Sequence, residues 1–133
     1  MVRQLKKLIK MINDYERGLL LKSKAAVFKD YKWEWFKTKE PLISTKSAQS
    51  YKSILNNHFA EIDYKKIADI KKTDIQRLIN TLIDKPNTAN KVYMTLNQIL
   101  ENAVDDDIIN KNPCRRIVKP KIETKKQKSL FAQ

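Results

Sequence analysis

Apolar residues recur along this chain at helical rather than strand spacing. Leu5, Leu8, Ile9 and Ile12 fall on one side of residues 4–15, with Arg3, Lys6, Lys7 and Lys10 opposite, the three-and-four spacing of an amphipathic helix. Gly18 is expected to end it. Residues 24–38 repeat the pattern with Val27, Phe28, Tyr31, Trp35 and Phe36. Pro41 closes that helix, because a proline disfavours helical backbone at the residue before it. Ser44 and Thr45 offer an N-cap for a helix over about 45–59. Its inner face is Ala48, Tyr51, Ile54, Leu55 and Phe59. Residues 60–72 read as a connection anchored by Ile62, Ile67 and Ile70.

The segment Thr73-Asp74-Ile75-Gln76 has the form of a capping box and opens a helix burying Ile75, Leu78, Ile79, Leu82 and Ile83. Asp84 to Asn87 is a turn, with Asn87 or Thr88 as the next cap. The longest helix follows over about 88–106, with Ala89, Val92, Tyr93, Leu96, Ile99, Leu100 and Ala103 inward. After Asp105, Asp106 and Asp107 the periodicity stops. Asn112-Pro113 breaks any helix, and residues 111–128 carry eight Lys or Arg against Glu123 alone. That stretch reads as a basic strap outside the core. The chain thus divides into a basic N-terminal helix or linker (1–22), a helical domain (23–110) and a basic tail (111–133). The first segment is either an interdomain helix or the start of an excised piece.

Composition narrows the fold class to all-α. The 133 residues hold one glycine, Gly18, whereas hairpins and barrels depend on glycine for turns of positive φ. A hydrophobic fraction of 41% is enough for one packed core. Charge then points to a partner. Lys plus Arg number 28 against 15 Asp plus Glu, a formal +13, and the sequence pI is near 9.8. A small domain so charged is offset best by a polyanion, nucleic acid first. No run approaches the ~20 apolar residues of a membrane span, and no membrane partner is expected. The single Cys114 excludes a disulfide framework and fits a reducing, cytoplasmic compartment. With His58 as the one histidine, no metal site or cofactor is expected.

Two outer faces carry the candidate chemistry. Soluble helices ordinarily display Glu–Lys pairs. The 45–59 helix instead presents Lys46, Ser47, Gln49, Ser50, Asn56 and Asn57, and the last helix presents Asn90, Lys91, Met94, Asn97 and Gln98, preceded by Asn87. Lysines and hydroxyls of this kind donate to phosphates, and Asn and Gln pair with adenine edges. Lys111, Arg115, Arg116, Lys119 and Lys121 extend the same character into the strap. Trp35, Tyr31, Tyr51 and Tyr93 lie on apolar stripes and read as core, and His58 and Cys114 as structural. Asp105 to Asp107 fan out by ~100° each on a helix and cannot converge on an ion.

The order of these features resembles the core-binding domain of the tyrosine recombinases, the phage-integrase family. The resemblance is carried by Phe28 with Trp35, by Ser44-Thr45 before Tyr51, and by Ile70 to Gln76. It continues through Leu96 to Ala103, Ala103 to Ile109, Asn112-Pro113, and Val118 to Lys121. It spans about residues 24–122. It implies a four-helix, SAM-like orthogonal bundle, with an extra N-terminal helix and a basic tail. Such a bundle forms one half of a clamp around double-stranded attachment-site DNA, and acts with other recombinase protomers in the full-length complex. The resemblance also implies a catalytic domain beyond the strap, bearing a tyrosine nucleophile. The sequence reaches Gln133 without His-x-x-Arg, so the chain is expected to be a monomeric fragment that binds DNA without cutting it. Two rival readings are a free-standing helix-turn-helix regulator and a basic helical module that docks on a protein or membrane through residues 4–15.

Overall fold

The computed structural model describes residues 2–121. Five α-helices follow one another: α1 (Val2–Leu21), α2 (Phe28–Lys39), α3 (Thr45–Asn57), α4 (Lys72–Asn80) and α5 (Pro86–Asp105). Short 3-10 turns lie at Glu40–Leu42 and Ile67–Asp69. Among the described residues there is no strand, only an isolated antiparallel bridge between Val27 and Lys66. The class is all-α.

The core is built from α2 to α5 and their connections. Phe28, Tyr31, Trp35 and Phe36 of α2 meet Ala48, Ile54 and Leu55 of α3, Ile75, Leu78 and Ile79 of α4, and the inner stripe of α5. Ile62, Ile67 and Ile70 anchor the 60–72 connection as expected; Phe59, expected on the inner face of the 45–59 helix, is buried just past the end of α3 at Asn57, and Phe28 and Phe59 pack edge to face at 5.4 Å. Lys32, on the apolar side of α2, is 2% exposed. Its Nζ pairs with Asp63 and donates to the Leu55 carbonyl at 2.8 Å, tying α2 to the last turn of α3.

Helix ends show where local chemistry prevailed. Ser44 caps α3, its hydroxyl accepting from the Ser47 amide at 3.1 Å. The expected box at Thr73 is displaced. α4 begins at Lys72, and Asp74 takes the capping role by accepting from the Lys71 amide at 3.0 Å. That bond, reinforced by Lys65, holds the Asp74 carboxyl below its ordinary value. Neither Asn87 nor Thr88 caps α5, because Pro86 starts it. Its fixed φ suits the first helical position, and its missing N–H is one the helix does not need. The helix ends in a Schellman turn: the Ile108 amide donates to the Ala103 carbonyl at 2.9 Å and that of Asp107 to Val104 at 3.0 Å. Asp107 occupies the left-handed position, φ 60°.

Three further expectations are corrected. Gly18 does not end the first helix, which runs on to Leu21. One interior glycine costs a helix only about 0.5–1 kcal/mol. Ile83 is exposed, because α4 stops at Asn80 and the following turn swings it outward. Residues 111–118 are not a free strap. Asn112, Cys114 and Ile117 are buried, and the Asn112 amide nitrogen donates to Asn97 Oδ1 (2.7 Å) and Glu101 Oε1 (2.8 Å). Gln76 brackets Val118, donating to its carbonyl and accepting from its amide, both at 2.9 Å. The backbone amide and carbonyl of Val118 are thereby satisfied, and the Cys114 amide donates to Asn112 Oδ1 at 2.9 Å.

Candidate nucleic-acid interface

α3 and α5 pack side by side and leave a groove of about 210 Å³ between their outer faces. It is lined by Ser47, Ser50, Tyr51 and Ile54 from α3 and by Lys91, Met94, Thr95 and Gln98 from α5. Five of these, Ser47, Ser50, Lys91, Met94 and Gln98, are candidate contacts from the sequence, so two helices far apart in the chain bring them to one place. The walls carry no acid: α3 has no Asp or Glu along its length, and α5 has none before Glu101. With Lys91 on one wall and no carboxylate on either, the cleft carries a positive potential.

The remaining candidates sort by helical angle. Lys46 and Asn57 lie on the α3 face beside Ser50, whereas Gln49 and Asn56 point roughly 180–200° away from Ser47 and do not share the groove. On α5, Asn87 leads the stripe that continues through Lys91, Met94 and Gln98. Asn90 and Asn97 lie on the neighbouring stripe, toward the C-terminal segment.

Several of these side chains already have partners. Gln98 Oε1 accepts from Lys39 Nζ at 2.7 Å, and its amide nitrogen donates to the Tyr51 hydroxyl at 3.4 Å. Lys39 itself lies over the Trp35 and Tyr51 rings at 5.6 and 5.4 Å. Asn97 is engaged by Asn112, and Asn57 donates to Ser53 Oγ at 3.2 Å. Lys46, Ser50, Lys91, Gln49, Asn56 and Asn87 make no side-chain hydrogen bond or ion pair among the described residues. Free lysines and hydroxyls on a rim can meet an incoming phosphate without first breaking a bond.

The C-terminal segment adds to the same side. Lys119 Nζ sits 4.5 Å above the Tyr93 ring and donates to Asn90 Oδ1 at 3.3 Å, which places it beside the α5 stripe. The Tyr93 hydroxyl donates to the Cys114 carbonyl at 3.1 Å. Lys111, Arg115, Arg116 and Lys121 are exposed, and Arg116 has φ 62°. Lys125, Lys126 and Lys128 of the expected strap lie outside the described residues.

The buried hydroxyl and thiol groups of the described bundle are shifted away from nucleophilic forms. The Tyr31 hydroxyl donates to Asp106 Oδ2 and accepts from Asn102 Nδ2, both at 2.7 Å. Burial, then the Asp106 bond, pushes its phenol upward, the reverse of what a nucleophilic phenolate needs. Burial also raises Tyr93 and pushes the Cys114 thiol up to about 12, so that sulfur is a packed apolar group. His58 is half-buried at the end of α3, lowered by burial and by Lys85. Among the described residues no three His, Cys, Asp or Glu side chains could hold a metal ion, and no helix is long and apolar enough to cross a membrane.

Sequence reasoning missed Lys39, Lys32 and the docked 111–118 segment. A signal for Lys32 existed, since it stands four residues from both Phe28 and Phe36 on the apolar side. The stripe of α1 was legible but not its isolation: Leu5, Leu8, Ile9, Met11, Ile12, Tyr15 and Leu19 remain 47–69% exposed.

Comparison with known proteins finds relatives of the helical bundle that carries the groove. Residues 28–120 match the model of the phage integrase central domain. Prophage phiRv2 integrases from two strains of Mycobacterium tuberculosis are 30% identical over 95 residues, covering 68% of this chain and 24% of theirs. The chain therefore spans about a quarter of the length of these curated relatives. The solution NMR structure of a fragment, residues 61–160, from Clostridium leptum is similar at a TM-score of 0.66 and 30% identity. That match covers 74% of this chain and 93% of the other. The integrase-like domain from Bacillus cereus gives a TM-score of 0.68 at 26% identity, covering 76% and 89%.

Proposed function

The chain belongs to the phage integrase central-domain family, and from that premise we propose that it grips the attachment-site core of double-stranded DNA through the α3–α5 groove. The matched stretch is the family's central, DNA-binding domain and not its catalytic tyrosine domain. In the proposed mode the bundle of α2 to α5 is the SAM-like half of a clamp. Lys46, Ser47, Ser50 and Lys91 bind phosphates on either side of the groove, and α5 enters the major groove. Residues 115–121 follow the backbone toward a catalytic domain in the full-length recombinase, which works with other protomers in the cytoplasm. Strand cleavage is assigned to that domain and not to these residues.

The observation that carries the reading is the acid-free groove in which the unpaired Lys91 of α5 faces the Ser47 and Ser50 hydroxyls of α3, with Lys46 beside it on the α3 face. A gel-shift titration against a duplex containing the cognate core, between 50 and 200 mM salt, tests it. About six to eight phosphate contacts give a log–log slope of roughly −5 to −7. A slope near zero rejects the clamp. The exposed stripe of α1 supports a second contact, with a partner helix. Removing residues 2–21 is expected to leave the salt slope unchanged.

A further inference from the structure

We propose that the α3–α5 groove reads a thymine in the major groove, with Met94 contacting its C5-methyl group. The inference rests on the DNA-contact reading above and adds a base-level reader to it. Met94 is 52% exposed, and among the described residues it is the only large apolar side chain exposed on α3 or α5. It contributes little to the core, yet it stands among donors, with Ser47, Ser50, Lys91 and Gln98 around the same groove. Those donors suit phosphate and base acceptors. Met94 suits none of them. The apolar group that a duplex displays along its major-groove edge is the thymine methyl.

Geometry supports the major groove. An α-helix of about 10–12 Å diameter fits a groove about 12 Å wide and not one of about 6 Å, which argues against Met94 as a minor-groove wedge. The side chain also meets a polar neighbour on its own helix. Asn90 Nδ2 donates to the Met94 sulfur at 3.6 Å, while Asn90 Oδ1 accepts from Lys119, itself seated on Tyr93.

Deoxyuridine differs from thymidine by that methyl alone. Binding would be measured on a duplex selected from a random pool by the wild-type chain, with each thymine replaced in turn by deoxyuridine. At one position or more the replacement is expected to weaken wild-type binding about fourfold, the equivalent of about 0.8 kcal/mol for one buried methyl. Met94→Ala should lose the discrimination, with a ratio near one. Met94→Leu should keep it, and the salt slope should be the same in all three because no charge changes. Discrimination equal in Met94→Ala and wild type, or none at any thymine in a chain that binds with a steep salt slope, overturns the methyl reader and leaves the DNA-contact reading standing. Salt-insensitive or absent binding by the wild type removes both.

Discussion

Lys32→Met separates a cation that holds the scaffold from the cations that hold the ligand. Lys32 is sealed under α3, its ammonium paired with Asp63, bonded to the Leu55 carbonyl at 2.8 Å, and 5.7–6.0 Å from the rings of Phe59, Trp33 and Phe28. Methionine keeps the unbranched stem and most of the volume but strands both oxygen partners. Breaking a buried pair costs about 3–5 kcal/mol when the surviving charge stays dry. The Asp63 side chain retains 15% exposure, and the methionine restores some apolar packing, so the expected loss is about 2–4 kcal/mol. For a domain of this size that lowers Tm by roughly 10–25 °C. Urea melts followed by circular dichroism give the free energy, and a salt-series titration with duplex DNA below the melting range gives the slope. The slope should equal that of the wild type although the net charge has fallen by one, because a buried ammonium releases no counterion. Unchanged stability, or a slope less negative by about 0.9, would refute the reasoning.

Four other outcomes are expected. Lys91→Ala or Lys46→Ala should weaken DNA binding and make the salt slope less negative by about 0.9 per lysine, with stability by urea melt within about 0.5 kcal/mol of wild type. Leu96→Ala, at a fully buried position on α5, should cost about 2–5 kcal/mol through the cavity it leaves, measured by the same melt. At position 107, with φ 60°, glycine should be more stable than alanine by about 1 kcal/mol, the penalty of a left-handed Cβ. His58 is depressed from 6.5 by burial, so its neutral ring favours the fold. That contribution is present above pH 6.5 and lost as pH falls through the depressed folded value. Wild-type melts between pH 7.5 and 5 should therefore show a loss that His58→Gln lacks.

The fold was legible where one residue type had one physical job. The stripe from Ala89 to Ala103, the Ser44 cap and the stop before Pro41 follow from helical spacing, hydroxyl capping and proline sterics. Positions with two plausible agents were less so. Thr73 and Asp74 both cap helices, and the choice depended on Lys65 and Lys71 lying beside Asp74. Residues 111–118 show no periodicity because they are fixed by individual bonds to Asn97, Glu101 and Gln76 rather than by a repeating face. The groove was legible as two polar faces. That Gln98 and Asn97 are already bonded within the protein, while Lys91 and Lys46 are not, depends on contacts with Lys39 and Asn112 that no sequence spacing encodes.

The most direct test is amide chemical-shift mapping of the chain titrated with a duplex containing the cognate core. The account predicts perturbations that cluster at Ser47, Ser50, Lys91, Met94 and residues 115–121 and shrink steeply as salt rises from 50 to 200 mM. Saturating DNA that leaves these positions still while shifting α1 or the outer face of α4 would contradict it.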